Sequence, residues 1–216
     1  MLPLQLGPSR ARLRVLCLGA HSDDIEIGCA GTLLRWLQEY RHVEVTLAVL
    51  SAADARGSEA RRSARALLGR AATLDVVLAD LEDAHFPAEF RRAKAFMADL
   101  RHRVHPDIVL THRLEDRHQD HRMVAELSWQ SFRDHLIFEY EVPKYEGDLG
   151  HPNVFVPLPS GIAARKVRHL LKHFGSQRSK TWFTADTFQA LMRLRGVECR
   201  APSGLAEAFS VRKALL

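Results

Sequence analysis

Hydrophobic and polar positions alternate along the first two-thirds of the chain in blocks that predict strands and helices in turn. Residues 14–20 form a short apolar run ending in Gly-Ala, as a buried parallel strand does, whereas apolar residues recur at helical spacing from Asp24 to about Tyr40. The other predicted strands are 43–50, 74–79 and 107–112, and the other predicted helices are 59–69, 89–104 and a segment from beyond His121 to about residue 134. Strands that alternate with helices favour right-handed crossovers and a parallel sheet.

The fold class predicted from this pattern is α/β: a Rossmann-like, doubly wound, mainly parallel sheet with helices on both faces. We expect the strand order 3-2-1-4-5, with the fifth strand at IFEYEVP, residues 137–143. The later pattern is less regular, and its expected elements are helices at 161–174 and 182–195 and an extended piece at about 197–210. We therefore predict one domain over residues 1–216, with a core at about 12–140 and a C-terminal extension at about 141–216.

The composition is that of an ordinary globular protein. Of 216 residues, 46% are hydrophobic and 26% charged, and no apolar run approaches the roughly 20 residues of a membrane span. The N-terminal stretch lacks the basic start and small-residue cleavage site of a signal peptide. Three widely spaced cysteines form neither a disulfide framework nor a thiolate zinc site. These features predict a cytoplasmic protein without stable membrane insertion, and they leave a homo-oligomer open.

The formal net charge of +5 raises the question of a nucleic-acid partner. The basic residues are scattered along nearly the whole chain, and the densest stretches, EARRSAR and RKVRHLLKH, carry no interleaved aromatic residues for base stacking. We therefore expect no nucleic-acid partner. A mildly basic surface suits an anionic small-molecule substrate, although a solvated face is its commoner explanation.

Chemistry-bearing residues follow the first predicted strand. The loop reads Ala-His-Ser-Asp-Asp, so His21 stands two residues before the adjacent carboxylates Asp23 and Asp24. Ligands bind at this end of the strands in a doubly wound sheet, and a dinucleotide-binding protein would place a glycine-rich turn there. Acidic residues also cap helix N-termini. An imidazole beside two carboxylates nevertheless favours a cation, with one carboxylate on the metal and the other free to move a proton.

A second polar cluster, THRLEDRHQDH, follows the fourth predicted strand and contains three histidines and two aspartates within ten residues. Strands 1 and 4 are neighbours where the strand order reverses, so the loops after them should face each other across a crevice. His21, Asp24 and His121 would then supply three ligands and leave a fourth position for water. That is the pattern of a catalytic zinc site; another divalent cation such as Fe²⁺ is also compatible.

These two motifs resemble those of the LmbE-like (PIG-L) de-N-acetylase family. The family's first motif reads Ala-His-Pro-Asp-Asp-x-Glu, and its second ends in His-x-Asp-His. The resemblance covers the chain through about residue 134 and the tail more loosely. One departure is Ser22, which stands where proline is usual; serine can adopt the same backbone conformation and cap the following helix. The family removes acetyl groups from N-acetylglucosamine in several kinds of conjugate.

The resemblance implies a role for individual residues. The metal ligands of the family correspond to His21, Asp24 and His121. Asp23 matches its general base, His118 the histidine that steadies the oxyanion, and Asp120 the partner that orients or charges that histidine. The family's substrate-binding arginine is matched by Arg56, although Arg61 or Arg62 could serve instead.

The function predicted from the sequence is therefore a zinc-dependent hydrolase. Its substrate would be an N-acetylglucosamine-type sugar conjugate, with an anionic group favoured by the arginines, and its products acetate and a free amine. One alternative is an amidase that cleaves larger thiol or sugar conjugates with the same metal centre. Another is a non-catalytic, Rossmann-like module that binds a sugar or nucleotide. An RNA-binding protein is supported by charge alone.

Overall fold

One seven-stranded sheet organises the chain in the computed structural model, which describes residue 6 and residues 11–215. The strands are β1 (Arg12–His21), β2 (His42–Ser51), β3 (Thr73–Leu78), β4 (Ile108–Thr111), β5 (Leu136–Tyr140), β6 (Val154–Pro157) and β7 (Ala206–Ser210). Their order across the sheet is β3-β2-β1-β4-β5-β7-β6. The first five strands are parallel, and β7 runs antiparallel to both of its neighbours. The predicted α/β class and the order 3-2-1-4-5 are confirmed.

Six α-helices accompany the strands within the described residues. They are α1 (Asp24–Glu39), α2 (Asp54–Leu68), α3 (Phe90–Arg103), α4 (Gln119–Ser131), α5 (Ser160–His173) and α6 (Ala185–Glu198). Helix α2 begins earlier than predicted. Its first turn is largely exposed and lacks apolar periodicity, so the sequence pattern did not reveal it. Helix α4 also begins earlier, since His118 caps it, and His121 therefore lies in its first turn. None of the described helices is long and apolar enough to cross a membrane.

The sheet separates two hydrophobic layers, which is why β1 is apolar along nearly its whole length. Alternate residues of β1 enter different layers: Leu13, Val15 and Cys17 pack in one, and Leu16, Leu18 and Ala20 in the other. Residues of α1, α2, α5 and α6 belong to the first layer, and residues of α3 and α4 to the second. Helices therefore cover both faces, as the doubly wound class requires.

The C-terminal extension is more regular than the sequence pattern suggests. Helix α6 continues to Glu198, so the extended piece predicted at 197–210 is confined to β7. Strand β7 lies between β5 and β6, with Tyr140 opposite Phe209 and Val154 opposite the same residue on the other side. The extension therefore completes the sheet that carries the candidate site.

Candidate active site

The two polar loops meet at the carboxyl edge of the sheet because β1 and β4 are adjacent, with Cys17 paired with Leu110. The end of β1 is held to the loop after β4 by a buried hydrogen bond, in which the backbone N–H of Ala20 donates to His112 Nε2 over 3.0 Å. Residues that are about a hundred positions apart in the chain are thereby brought into contact, for example His21 and His121.

The three side chains predicted to hold a metal converge on one point. His21 Nδ1 lies 3.2 Å from His121 Nε2. The two oxygens of Asp24 lie 3.4 Å from these same nitrogens, Oδ2 from His21 Nδ1 and Oδ1 from His121 Nε2. A tetrahedral zinc ion with bonds of about 2.0–2.1 Å keeps its ligand atoms about 3.3 Å apart. The spacing of the three groups therefore fits a zinc-sized cation.

Carboxylates hold the opposite nitrogen of each of these two imidazoles. His21 Nε2 lies 3.0 Å from Asp83 Oδ1 and 3.2 Å from Asp120 Oδ2. His121 Nδ1 lies 3.1 Å from Asp116 Oδ2. Histidines that bind a metal typically donate their other N–H to a carboxylate, which fixes the ring and raises its basicity. The surroundings of both rings thus match metal ligation.

Further side chains lie within reach of the same point. Ligand atoms lie within 4.8 Å of one another in three overlapping groups, which are His21 with His118 and His121, Asp24 with His112 and His121, and His21 with Asp83, His118 and Asp120. His112, for which the motifs predicted no role, is fully buried and accepts a hydrogen bond from the N–H of Ala20. Burial, and then the positive charge of His121, lowers the pKa of His112 to about 4, so its ring is neutral at pH 7.

The two adjacent aspartates occupy different electrostatic environments. Burial and the neighbouring carboxylate of Asp24 raise the pKa of Asp23 to about 6. Burial alone would raise the pKa of Asp24 as well, but His121, His112 and His21 hold it well below its usual range. Asp24 is therefore a permanent anion suited to a cation, whereas Asp23 has a pKa close to neutral pH, as an efficient proton acceptor does.

The ring of His118 is oriented by the backbone of helix α4. Its Nδ1 accepts the N–H of Asp120 over 3.3 Å, so the proton of the neutral ring resides on Nε2. Within the described residues Nε2 makes no hydrogen bond, and it can donate to a ligand. Burial, and then the charges of His121 and His21, lowers the pKa of His118.

The Asp120 carboxylate makes no hydrogen bond to His118 within the described residues. The Asp120 carboxylate accepts the backbone N–H groups of Ala84, over 2.7 Å, and Phe86, over 3.2 Å, and its Oδ2 faces His21. Asp120 thus orients His118 through its own N–H and not through its carboxylate. The Asp120 carboxylate raises the pKa of His118, but burial and the charges of His121 and His21 outweigh it, so that the net pKa is lowered.

Arg56 lies at the rim of the site. Its guanidinium pairs with Asp83 Oδ2 at 2.5 Å, and the other oxygen of Asp83 faces His21. The alternative candidate Arg61 donates to the carbonyl of Val76 on β3. Asp83 was missed from sequence because it lies in the loop after β3, outside both motifs.

Asp116 was also missed, although it lies inside the second motif. In addition to facing His121, Asp116 Oδ2 accepts a hydrogen bond from the Lys144 ammonium over 3.0 Å, and Asp116 Oδ1 accepts one from the backbone N–H of His118. Metal-binding histidines usually donate their second N–H to a carboxylate or a carbonyl group. Asp116 is an acid in the same motif as His121, and this rule is the sequence signal that indicates its role.

Comparisons with known proteins indicate one family. A family model described as "PIG-L: GlcNAc-PI de-N-acetylase" matches residues 16–132. An uncharacterized deacetylase of Escherichia coli K12, YaiS, is 28% identical over 78% of this chain and 94% of its own. A similar solved structure is the N,N'-diacetylchitobiose deacetylase of Pyrococcus horikoshii, with a TM-score of 0.67, 18% identity, and 92% of this chain and 83% of that chain covered.

The same fold also occurs in a protein with different chemistry. GalB, the 4-carboxy-2-hydroxymuconate hydratase of Pseudomonas putida KT2440, has a TM-score of 0.73 and 17% identity, covering 94% of this chain and 98% of its own. At such identities the likeness establishes the fold alone. Activity must therefore be inferred from the residues of the site and from the family.

Proposed function

Because this chain belongs to the PIG-L family of GlcNAc-PI de-N-acetylases, we propose that it is a zinc-dependent N-deacetylase of an N-acetylglucosamine-type sugar conjugate. Its products would be acetate and a free amino sugar. The observation that carries this proposal is the convergence of His21, Asp24 and His121 at mutual distances of 3.2–3.4 Å, beside a buried carboxylate with a raised pKa.

The metal would be held by His21 Nδ1, Asp24 and His121 Nε2. Asp116 would hold the far nitrogen of His121, and Asp120 that of His21, because those contacts are already made. When bound, zinc lowers the pKa of a coordinated water toward about 7 and polarises a carbonyl group. Each residue would then act from its present position, without rearrangement of the two loops.

Amide hydrolysis needs a proton acceptor, a donor for the oxygen that gains charge, and a proton for the leaving amine. Asp23 would take the proton of the attacking water, for which its pKa of about 6 is suited. His118 Nε2–H would donate to the acetyl oxygen as that oxygen becomes negative. Asp23 would then return its proton to the nitrogen, and acetate and the amine leave.

The rim favours a substrate that carries a negative charge. Arg56 is held beside His21 through Asp83, and more than a third of its side chain, 37%, is exposed. Arg56→Met should raise KM for an anionic conjugate about tenfold, since a charge-assisted hydrogen bond contributes about 1.5–3 kcal/mol. Arg61→Met is a matched control on the same helix, with an expected change below twofold. An equal rise in KM for a neutral conjugate would contradict the anionic preference.

The decisive experiment is an assay of free-amine release with the metal-free and the zinc-loaded protein. The panel contains neutral and phosphorylated N-acetylglucosamine conjugates and larger thiol or sugar amides. We expect zinc-dependent release, fastest from an anionic acetylated sugar and abolished by a chelator. Faster cleavage of the larger amides would favour the amidase alternative. Ligand binding without release, insensitive to the chelator, would indicate a non-catalytic binding module and overturn the proposal.

A further inference from the structure

Helix α1 carries the candidate base and one candidate ligand at its start, and it is held one turn later by a buried ion pair. Lys166 of α5 and Glu207 of β7 lie 2.5 Å apart, with 4% and 3% of their side chains exposed. Both also bond to the backbone of α1. Lys166 Nζ donates to the carbonyl of Ile27 over 2.5 Å, and Glu207 accepts the N–H groups of Gly31 and Thr32 over 2.8 and 2.6 Å.

These bonds act on the two ends of a single helical turn. In a regular α-helix the N–H of Gly31 is the partner of the Ile27 carbonyl. Here both of those groups are also held by charges from outside the helix. Charge-assisted hydrogen bonds are about twice as strong as neutral ones. The turn that directly follows Asp24 is therefore fixed in position by two elements of the C-terminal extension.

The packing of α1 depends on the same face of the helix. Asp24, Gly28 and Gly31 are spaced i, i+4 and i+7, so they form one stripe. A Cβ atom at Gly28 would overlap the ring of Tyr140 on β5, and one at Gly31 would crowd the Glu207 carboxylate. The glycines allow α1 to approach the sheet closely. The depth of that approach determines where Asp24 lies relative to His121.

We infer that the Lys166–Glu207 ion pair is a positioning device for Asp23 and Asp24. Lys166 and Glu207 bind neither metal nor substrate; they hold the first turns of α1 so that both carboxylates face the loop after β4. A displacement of about 1 Å from productive geometry can lower a rate by about 10²-fold. The predicted effect on turnover rests on the proposed deacetylase function. Zinc affinity and amide hydrogen exchange test the inference even if that function is wrong.

The test replaces the pair by apolar residues, Lys166→Met with Glu207→Leu. The matched control is Glu141→Leu with Arg195→Met. Glu141 and Arg195 also form a buried pair, at 2.6 Å, and together with Lys166 and Glu207 they line a cavity of about 20 Å³. They bond to no group of α1 within the described residues. Each apolar double variant should recover most of the melting temperature lost by its single variants, about 10 °C, because a buried charge is then no longer left unpaired.

The positioning variant should bind zinc at least tenfold more weakly in a competition assay with a chromophoric chelator. Its kcat should fall about 10–100-fold with KM within twofold of wild type, since the contacts of Arg56 are untouched. Amide hydrogen exchange of residues 24–32 should accelerate. The control variant should match wild type in all three measurements.

Zinc affinity, kcat and exchange equal to wild type in the positioning variant would overturn the inference, and so would equal losses in the control variant. If the wild-type protein releases no amine, the proposed function fails, and zinc affinity and exchange decide the inference. If it also binds no zinc, exchange of residues 24–32 decides alone.

Discussion

Two regions of this molecule bury charged side chains and organise them differently. At the carboxyl edge of the sheet, Asp23 and Asp24 lie side by side among several imidazoles. Burial and the repulsion between the two carboxylates raise the pKa of Asp23. In the C-terminal extension two buried carboxylates each face a cation, Glu207 with Lys166 and Glu141 with Arg195. The first region is electrostatically incomplete without a cation, whereas each of the two pairs in the second is neutral.

The difference indicates what each region contributes. A group that binds a metal or moves a proton must keep a lone pair or a charge that no other group of the protein neutralises. A site built from such groups lowers the free energy of unfolding. Paired charges neutralise each other and so do not attract a ligand, but they can hold backbone groups in position. Loss of one partner strongly destabilises the protein, because the other charge is then buried without compensation. Substitutions in the first region should therefore lower activity without lowering stability, whereas loss of one partner of a pair in the second region should lower stability.

The largest expected effect is that of Asp23→Asn on turnover. Loss of a general base should lower kcat about 10²–10⁴-fold, while zinc content stays at the wild-type level. Melting of the metal-free protein should occur at the same or a higher temperature, because one of two adjacent buried carboxylates is neutralised. Glu141→Gln should show the reverse, a lower melting temperature with kcat within twofold. Turnover near the wild-type rate in Asp23→Asn would assign the base elsewhere.

A smaller loss is expected for His118→Ala. Removing one donor to a developing oxyanion lowers kcat about 10²–10³-fold in other enzymes. Zinc affinity should change less than threefold, because the proposed ligands keep their carboxylate partners. Single-turnover kinetics with excess enzyme would measure the chemical step. A variant that loses its zinc but hydrolyses normally when zinc is added in excess would identify His118 as a ligand instead.

A still smaller effect is expected for Asp116→Asn, which weakens the support of His121. Loss of such a support typically costs 10–100-fold in metal affinity, which equilibrium dialysis against buffered zinc would measure. Glu115→Gln is the matched control, since this neighbouring acid is half-exposed and pairs with Arg212. Equal zinc affinities in the two variants would show that Asp116 serves only its ion pair with Lys144.

The smallest effect concerns a third buried cluster, where the Ser63 hydroxyl lies 2.8 Å from His169 Nε2. Burial, and then the charges of His173, Arg165 and Lys172, lowers the pKa of His169 to about 4. A histidine with a lowered folded-state pKa contributes stability above its unfolded pKa of about 6.5, and this is lost as pH falls toward 4. His169→Gln should therefore lose about 1–2 kcal/mol less than wild type between pH 7.5 and pH 5 in urea unfolding. Identical pH dependence in both proteins would refute this.

The sequence predicted the sheet order and the convergence of His21, Asp24 and His121 for a local reason. Buried parallel strands are continuous apolar runs, and the polar groups that follow them must gather where the strands end. Each motif is contiguous in sequence, so its chemistry is visible without knowledge of the fold.

The features that the sequence did not predict depend on non-local pairing. Strand β6 is four residues long and ends in proline, which gives too little periodicity to recognise. The insertion of β7 between β5 and β6 depends on register and not on composition. Asp83 reaches His21 from an irregular loop, and the Lys166–Glu207 pair joins two elements to a third. No spacing along one segment encodes these contacts.

The location of β7 has a consequence for synthesis. This strand follows every other described element in the chain, yet it fills an interior place in the sheet and reaches the helix that presents Asp24. A nascent polypeptide that has emerged from the ribosome only through α6 contains both motifs without Glu207. We expect such an intermediate to lack deacetylase activity until Glu207 has left the ribosome.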